Sequence, residues 1–167
     1  MQRTEDLLHR FYGAFAQLDA KTMADCYAEN AIFRDEAFSL QGKAEIAAMW
    51  QMLCEGAKAS SGNAWRLESS AITADDRRGQ AHWEAHYRFS ATGRQVHNII
   101  DAQFEFDGSG LIALHHDRFD FWRWSRQALG LPGTLLGWSS WLRRKVRAAA
   151  RKNLDRYLRQ RTTKETP

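Results

Sequence analysis

The chain has 167 residues, of which 44% are hydrophobic and 26% are charged, the composition of a folded soluble protein with one sizeable core. Its net charge of +4 hides two regions of opposite sign: residues 1–120 carry 12 Lys and Arg against 18 Asp and Glu, whereas residues 121–167 carry 12 against 2. The longest largely uncharged run, residues 127–142, has about 16 residues and is interrupted by proline and glycines, so it is too short for a membrane-spanning helix.

The N-terminus and the two cysteines favour the cytoplasm. The first ten residues, MQRTEDLLHR, carry charges where an export signal needs an apolar stretch. Cys26 and Cys54 lie in predicted helices, with no CxxC and no metal-ligand spacing, so we expect reduced packing residues. We therefore expect a cytoplasmic protein.

Three helices are predicted in the N-terminal third of the chain. Apolar residues recur at helical spacing over residues 4–18 and again over 43–54. A short second helix fits residues 19–27, with an aspartate at its start as the cap. Between the second and third helices, AIFRD (residues 31–35) has a strand-like pattern.

Strands are predicted after the third helix. Apolar and polar residues alternate over residues 80–90, which is typical of a strand with one buried face. Two further strands, residues 95–106 and 111–121, are separated by turn sequences, and a weaker strand covers 64–74. Helices followed by strands predict an α+β fold, with a curved antiparallel sheet and the helices on its concave side.

This order of elements, with YAENAIFRDEAFSLQGKAEIAAMW and FEFDGSGLIALHHDRFD, resembles the nuclear transport factor 2-like superfamily and its SnoaL-like and ketosteroid-isomerase-like branch. The resemblance covers roughly residues 4–121 and implies a cone-shaped sheet, or cystatin-like roll, with three N-terminal helices. We therefore expect a small-molecule-binding cone over residues 1–121 and a Trp-rich, basic helical extension, residues 122–167, packed on it. The resemblance also implies a hydrophobic small molecule in the cone and a homodimer formed through the sheet.

The resemblance implies that Asp35 is the catalytic base, because it falls on the aspartate that ends the first strand of ketosteroid isomerases. A carboxylate at the mouth of an apolar cavity is partly desolvated, which raises its pKa towards the range of a general base. The alternative is an exposed turn aspartate beside Glu36.

Two other positions of those isomerases differ in this chain. Their helix-one tyrosine falls on Phe11, with Tyr12 one residue along, and their second acid falls on Ala102, with Asp101 beside it. A one-residue shift turns a strand side chain to the opposite face, so we expect Asp101 to point out of the cone. A steroid isomerase reaction is therefore not expected.

The last strand carries a second candidate pair, His115 and Asp117. In the register that the resemblance implies, both point inward together with Asn98; the competing register would bury Ile112 and Leu114 instead. Inward-facing, the imidazole and carboxylate form an acid–base pair in an aromatic pocket; the alternative places them at the surface or the edge of the sheet. The residues predicted to bind substrate are Phe11, Tyr12, Trp50, Trp83, Tyr87 and Asn98.

Metal and cofactor sites are not expected. His82 and His86 share one strand face and His115 and His116 are adjacent, but no tight ligand motif accompanies them. We therefore assign no metal ligand and no cofactor.

The C-terminal extension is the unusual part of the sequence, since residues 121–141 hold four of the seven tryptophans. A short helix over residues 122–129, a loop (GLPGTLLG) and a long basic helix from Ser139 or Ser140 are predicted. We favour packing on the acidic body with the tryptophans as a clasp, because four exposed tryptophans would be a large liability. An anionic membrane surface is the alternative, and nucleic acid is not expected because no recognition motif accompanies the charge.

Two functions stay open at this point. The first is binding of a hydrophobic small molecule in the cone, whose enzymatic form would be cofactor-free acid–base catalysis of the isomerase, cyclase, dehydratase or hydrolase type. The alternative is a non-catalytic binding or interaction protein that uses its basic, Trp-rich helix on a membrane surface or a protein partner.

Overall fold

The computed structural model describes residues 2–60 and 62–165 of the chain. These residues contain six α-helices and six strands. The helices are α1 (Gln2–Ala16), α2 (Ala20–Asp25), α3 (Lys43–Ser60), α4 (Phe121–Leu129), α5 (Leu131–Leu136) and α6 (Ser140–Glu165). The strands are β1 (Tyr27–Arg34), β2 (Ser39–Gln41), β3 (Arg66–Ala74), β4 (Arg78–Arg88), β5 (Gln95–Phe106) and β6 (Ile112–Phe119).

The strands form one curved, unclosed sheet in the order β2-β1-β6-β5-β4-β3. The predicted antiparallel meander corresponds to β3 to β6, whereas β1 pairs in parallel with β6 and β2 forms an unpredicted short hairpin with β1. The predicted α+β cone is confirmed. The ends of β1, β4 and β6 and the start of β5 lie at the same end of the sheet, which we call the mouth.

A bulge in β6 settles the register of the last strand. Glu105 pairs with Leu114 and Phe106 pairs with Ile112, so Ala113 has no partner of its own on β5. Ile112 is therefore buried on one side of the bulge, and His115 and Asp117 are buried on the other. Each of the two predicted registers holds on one side of the bulge.

Aromatic side chains fill the space between the sheet and the helices. The ring of Phe11 on α1 lies edge-on to Trp50 on α3, with centroids 5.7 Å apart, and to Tyr27 on β1 at 5.9 Å. Trp83 and Phe104 close the same cluster from the sheet side. Edge-to-face contacts of this kind add specific geometry to a core that burial of apolar surface already stabilises.

The C-terminal extension covers the mouth through α4. A second, smaller core joins the mouth ends of the strands to α4 and the start of α6; its buried members are Val96, Phe121, Trp124, Ala128 and Leu142. Further along, α6 lies against α3, where Leu154 is fully buried in the main core. Ion pairs join α6 to two parts of the body: Arg143 and Arg147 pair with Glu36 in the turn after β1, and Arg151 pairs with Glu45 on α3.

The four tryptophans of the extension do not behave alike. Trp124 is buried, whereas Trp122, Trp138 and Trp141 are 43%, 71% and 46% exposed. The predicted hydrophobic clasp therefore describes Trp124 alone. The other three rings lie at the surface of the extension.

The predicted loop between the last two helices is wrong, because it contains the short helix α5. Gly133 makes this helix fit: a Cβ atom there would lie 1.9 Å from the carbonyl oxygen of Ser125 on α4. A Cβ on Gly137 would likewise lie 2.1 Å from the Ser125 hydroxyl. The two glycines thus allow α5 to pack against α4 at a distance that no larger residue permits.

Within residues 2–60 and 62–165, every helix is too short or too polar to cross a membrane. Pairing of two copies through the sheet stays a prediction.

Candidate functional site

A chain of hydrogen bonds crosses the aromatic core. The indole nitrogen of Trp50 donates to the hydroxyl of Tyr27 at 3.1 Å, and this hydroxyl lies 2.6 Å from Nδ1 of His115. Nε2 of His115 lies 2.9 Å from Oδ1 of Asp117, which also accepts from the indole of Trp83 at 3.4 Å. His115 and Asp117 are 1% and 3% exposed. Of the two orientations left open for this pair, the structure has the inward one.

One arrangement of protons satisfies every group in these hydrogen bonds. Trp50 can only donate, so the Tyr27 hydroxyl accepts from it. With Nδ1 of His115 as the acceptor from the Tyr27 hydroxyl, Nε2 of His115 donates to Asp117. Burial raises the pKa of Tyr27 well above its ordinary value, and Asp117 raises it further, so the phenol keeps its proton.

Tyr12 supplies a donor without an acceptor. Its hydroxyl is the one fully buried side-chain polar atom that has no hydrogen-bond partner among the described residues. Burial raises its pKa well above the ordinary value, and the charge of Asp117 raises it further. Since an unpaired buried hydroxyl is unfavourable, its retention is typical of a group that serves a ligand or stores strain.

Asp35 lies at the mouth, directly after β1. Its Oδ1 accepts from the backbone N–H groups of Ala37 and Phe38 at 2.7 and 2.6 Å. Burial of the carboxyl group raises its pKa to about 7, and the neighbouring charges of Asp117 and Glu36 act in the same direction, against the two backbone hydrogen bonds. Asp35 therefore exchanges a proton near neutral pH, as a general base requires.

The predicted substrate-binding residues fall into two groups. Phe11, Tyr12, Trp50 and Trp83 are core residues with at most 8% exposure, packed against each other and against His115. Tyr87 and Asn98 are half-buried near the mouth, and the charge of Asp35 acts on Tyr87. Only this second group, with Asp35, lies where a molecule arriving from solvent could reach it.

Two residues of the site were not predicted. Tyr27 was placed at the end of the second helix, yet α2 ends at Asp25 and Tyr27 begins β1. Trp124 was assigned to the extension, but its indole donates to the hydroxyl of Tyr87 at 3.0 Å and so covers the mouth. Burial raises the pKa of Tyr87 to about 12, while this hydrogen bond opposes the rise.

Residues that could hold a metal ion lie on the opposite face of the sheet. Ligand atoms of Glu84, His86 and His97 all lie within 4.8 Å of one another. All three side chains are half-buried on the outer face of β4 and β5. The aromatic interior and this outer cluster are separate sites.

Comparison with known proteins places this fold. The family model of the SnoaL-like domain matches residues 8–115, well over half of the chain. In the search of curated proteins, no match to this chain was found.

Solved structures share the architecture at low sequence identity. A proposed polyketide cyclase from Xanthomonas campestris pv. campestris is 22% identical with a TM-score of 0.60, over 75% of this chain and 96% of that one. An LEH-like epoxide hydrolase from M. tuberculosis is 17% identical, with a TM-score of 0.58 over 81% and 96% of the two chains. A proposed isomerase from Bacillus subtilis is 17% identical, with a TM-score of 0.59 over 77% and 94%. At these identities the solved structures establish the fold alone. The match to the family model establishes the family: the chain belongs to the SnoaL-like domain family.

Proposed function

We propose that the protein binds a small, largely apolar molecule with one polarised oxygen at the mouth of the cone and moves a proton on it, with Asp35 as the base. Tyr12 is the proposed donor to the oxygen, and the His115–Asp117 pair is the proposed second proton-transfer group. Catalysis of this kind needs no cofactor.

The proposal rests on one observation: among the described residues the buried Tyr12 hydroxyl lacks a hydrogen-bond partner, inside an aromatic cone whose mouth carries the half-buried carboxyl group of Asp35. Asp117 raises the pKa of both Asp35 and Tyr12. The walls around these groups are aromatic, and in such a medium a hydrogen bond to a developing negative charge is stronger than in water. A substrate oxygen that accepts from Tyr12 would satisfy the unpaired hydroxyl.

Access to this site runs through the mouth. Trp124 of α4 covers Tyr87, and Arg143 and Arg147 of α6 are paired with Glu36, the neighbour of Asp35. Asp35 is half-buried and within reach from the mouth, whereas the buried Tyr12 and the His115–Asp117 pair come within reach of a ligand only when the covering helix moves away. Movement of a covering helix over a proton-transfer site also serves to exclude water during the reaction.

Proton exchange on a simple ketone tests the proposal. With cyclohexanone as the probe in D₂O, we expect the protein to accelerate exchange of the α-protons, measured by NMR, and the rate to rise with pH through about 7. Asp35→Asn keeps the backbone hydrogen bonds but removes the base, so we expect a loss on the order of 100-fold or more. Tyr12→Phe should reduce the rate on the order of tenfold to 100-fold.

Asp101→Asn is the matched control, since this acid lies one residue from the inward position on β5 and points outward, where it binds His82. Its exchange rate should equal that of the wild type. Equal rates for the wild type and Asp35→Asn would exclude Asp35 as the base.

A second function is favoured by the surface of the extension. Leu131, Leu135 and Trp138 are 76%, 67% and 71% exposed, and Trp141 is exposed beside them. Cationic side chains stand against the rings: Arg126 lies 4.7 Å from the ring centroid of Trp122, and Lys145 lies 4.3 Å from that of Trp141. Tryptophan and leucine with flanking cations are the composition of a segment that lies in the interface of an anionic membrane.

Co-sedimentation with vesicles tests this second function. We expect the protein to bind vesicles of phosphatidylserine and phosphatidylcholine but not of phosphatidylcholine alone, and to lose binding as salt is raised. Leu131→Ser with Trp138→Ser should abolish binding, whereas Trp122→Ser, at a less exposed ring that is hydrogen-bonded to Thr134 and partly covered by Arg126, should weaken it less. Equal sedimentation of the wild type and the double variant would exclude membrane insertion of α5.

A further inference from the structure

The outer face of the sheet carries a cross-strand cluster of histidines and carboxylates. His86 on β4 is directly opposite His97 on β5, and Glu84 lies two residues before His86 on the same face. The imidazole rings of the two histidines stack with centroids 4.0 Å apart. Nε2 of His97 lies 2.5 Å from Oε2 of Glu84. One strand pair, β4–β5, thus brings three possible metal ligands to one point.

Second-layer contacts hold the carboxylate of this cluster. Nε2 of His82 lies 3.5 Å from Oε1 of Glu84, the oxygen that does not face His97. Nδ1 of His82 lies 2.8 Å from Oδ1 of Asp101. A carboxylate that is oriented by a histidine, which is itself held by a second carboxylate, has the supporting layer that metal sites in proteins commonly have.

Charges around the cluster favour a bound cation. Glu84 and Asp101 are acidic side chains on this face of the sheet. Arg66 on β3 lies opposite His86, and its charge is paired with Glu68 at 3.0 Å.

We propose that Glu84, His86 and His97 form a zinc site on the outer face of the sheet, with water as the fourth ligand. Two imidazoles and one carboxylate suit Zn²⁺, whereas Mg²⁺ and Ca²⁺ prefer sets made of oxygen atoms alone. The ion takes the place of the hydrogen bond between Glu84 and His97. Neither Asp35 nor the His115–Asp117 pair belongs to this site, so it is independent of the proposed proton transfer.

Binding requires one ring to turn. Two nearly parallel imidazoles, 12° apart in orientation, cannot both direct an in-plane lone pair at one ion. The second side-chain torsion of histidine is broad, and both side chains are half-buried on an open face, so rotation of His86 about its Cβ–Cγ bond is inexpensive. Metal binding is therefore expected to abolish the stacking of His86 on His97.

Titration of the tag-free protein with Zn²⁺ tests the site. Calorimetry should give one Zn²⁺ bound per chain, and Co²⁺ in its place should give the visible absorption bands of a four-coordinate site. His86→Gln and His97→Gln should each weaken Zn²⁺ binding by far more than tenfold, and His82→Gln by about tenfold through loss of the contact to Glu84. Mg²⁺ should not compete.

His9→Gln is the matched control, since His9 is an exposed histidine on α1 outside the cluster, and it should bind Zn²⁺ as the wild type does. Unfolding curves in the presence of a chelator confirm that each variant is folded. Zn²⁺ affinity that is unchanged in both His86→Gln and His97→Gln, or absent in the folded wild type, would overturn the proposal.

Discussion

The two faces of the sheet use the same pair of groups in opposite surroundings. On the inner face, His115 and Asp117 are 2.9 Å apart with side chains that are 1% and 4% exposed. On the outer face, His82 and Asp101 are 2.8 Å apart with side chains that are 34% and 79% exposed. The two pairs therefore have nearly the same distance and differ in their exposure to solvent.

This difference decides what each pair can do. The inner pair is part of a continuous chain of donors and acceptors, and removal of one member leaves buried groups without partners. The outer pair is screened by water, contributes little to stability, and leaves lone pairs that an ion can reach. The buried pair is thus held in one arrangement by the fold, whereas the exposed pair can rearrange when a ligand binds.

Removal of one histidine from each face of the sheet should give the largest difference in the free energy of unfolding. His115→Leu leaves the Tyr27 hydroxyl without an acceptor and Asp117 without its main donor, so we expect a loss of about 3–5 kcal/mol in the free energy of unfolding. His82→Leu on the outer face should change it by less than about 1 kcal/mol. Urea unfolding in the presence of a chelator measures both. Similar losses from the two variants would show that the inner chain of hydrogen bonds does not stabilise the fold.

The pH dependence of stability should separate the mouth from the outer face. Asp35 has a pKa of about 7 in the folded protein and about 4 when unfolded, so the folded state binds the proton more tightly. Stability from this group is present below pH 4 and is lost as pH rises to 7. Asp35→Asn, which cannot ionise, should remove this slope and be more stable than the wild type above pH 7, on the order of 1–3 kcal/mol after allowance for solvent screening.

Chemical unfolding of wild type and Asp35→Asn at several pH values measures this difference. Asp6→Asn, at an exposed position on α1, should keep the wild-type slope. An unchanged slope in Asp35→Asn would mean that its carboxyl group is not desolvated.

Local patterns in the sequence were sufficient for most of the sheet. β5 runs from Gln95 to Phe106 as predicted, because alternation and the flanking turns define both of its ends. Alternation and the family resemblance placed His115 and Asp117 inward in one of two possible registers but did not decide between the two. The bulge at Ala113 was not predictable, because it arises from pairing with β5 and leaves no local signal.

The remaining errors share a cause: they depend on contacts between segments far apart in sequence. Tyr27 pairs with Ile112 on β6, and this parallel pairing draws it out of the preceding helix. Gly133 and Gly137 were interpreted as signs of a loop. Their role in the structure is to let α5 approach Ser125 on α4 closely. The outer cluster requires that His86 lie opposite His97, a register that two separately predicted strands do not specify.

The smallest expected effect concerns His82 on the outer face. Its hydrogen bond to Asp101 is the main cause that raises its pKa, and the contact to Glu84 adds to it. Because the folded-state pKa lies above the unfolded value of about 6.5, the stability that His82 contributes is present below that pH and is lost as pH rises through the folded-state value. The pH range over which the contribution of His82 is lost thus begins near the pH at which the contribution of Asp35 has been lost.

A comparison of unfolding midpoints at about pH 6 and pH 8, with chelator present, measures this contribution. Since the pair is exposed, we expect His82→Gln to reduce the pH dependence by only a few tenths of a kcal/mol. His9→Gln should leave it unchanged. If His82→Gln altered stability as much as His115→Leu, solvent would not be what separates the two faces, and the outer cluster would be a structural network with no lone pair available for zinc.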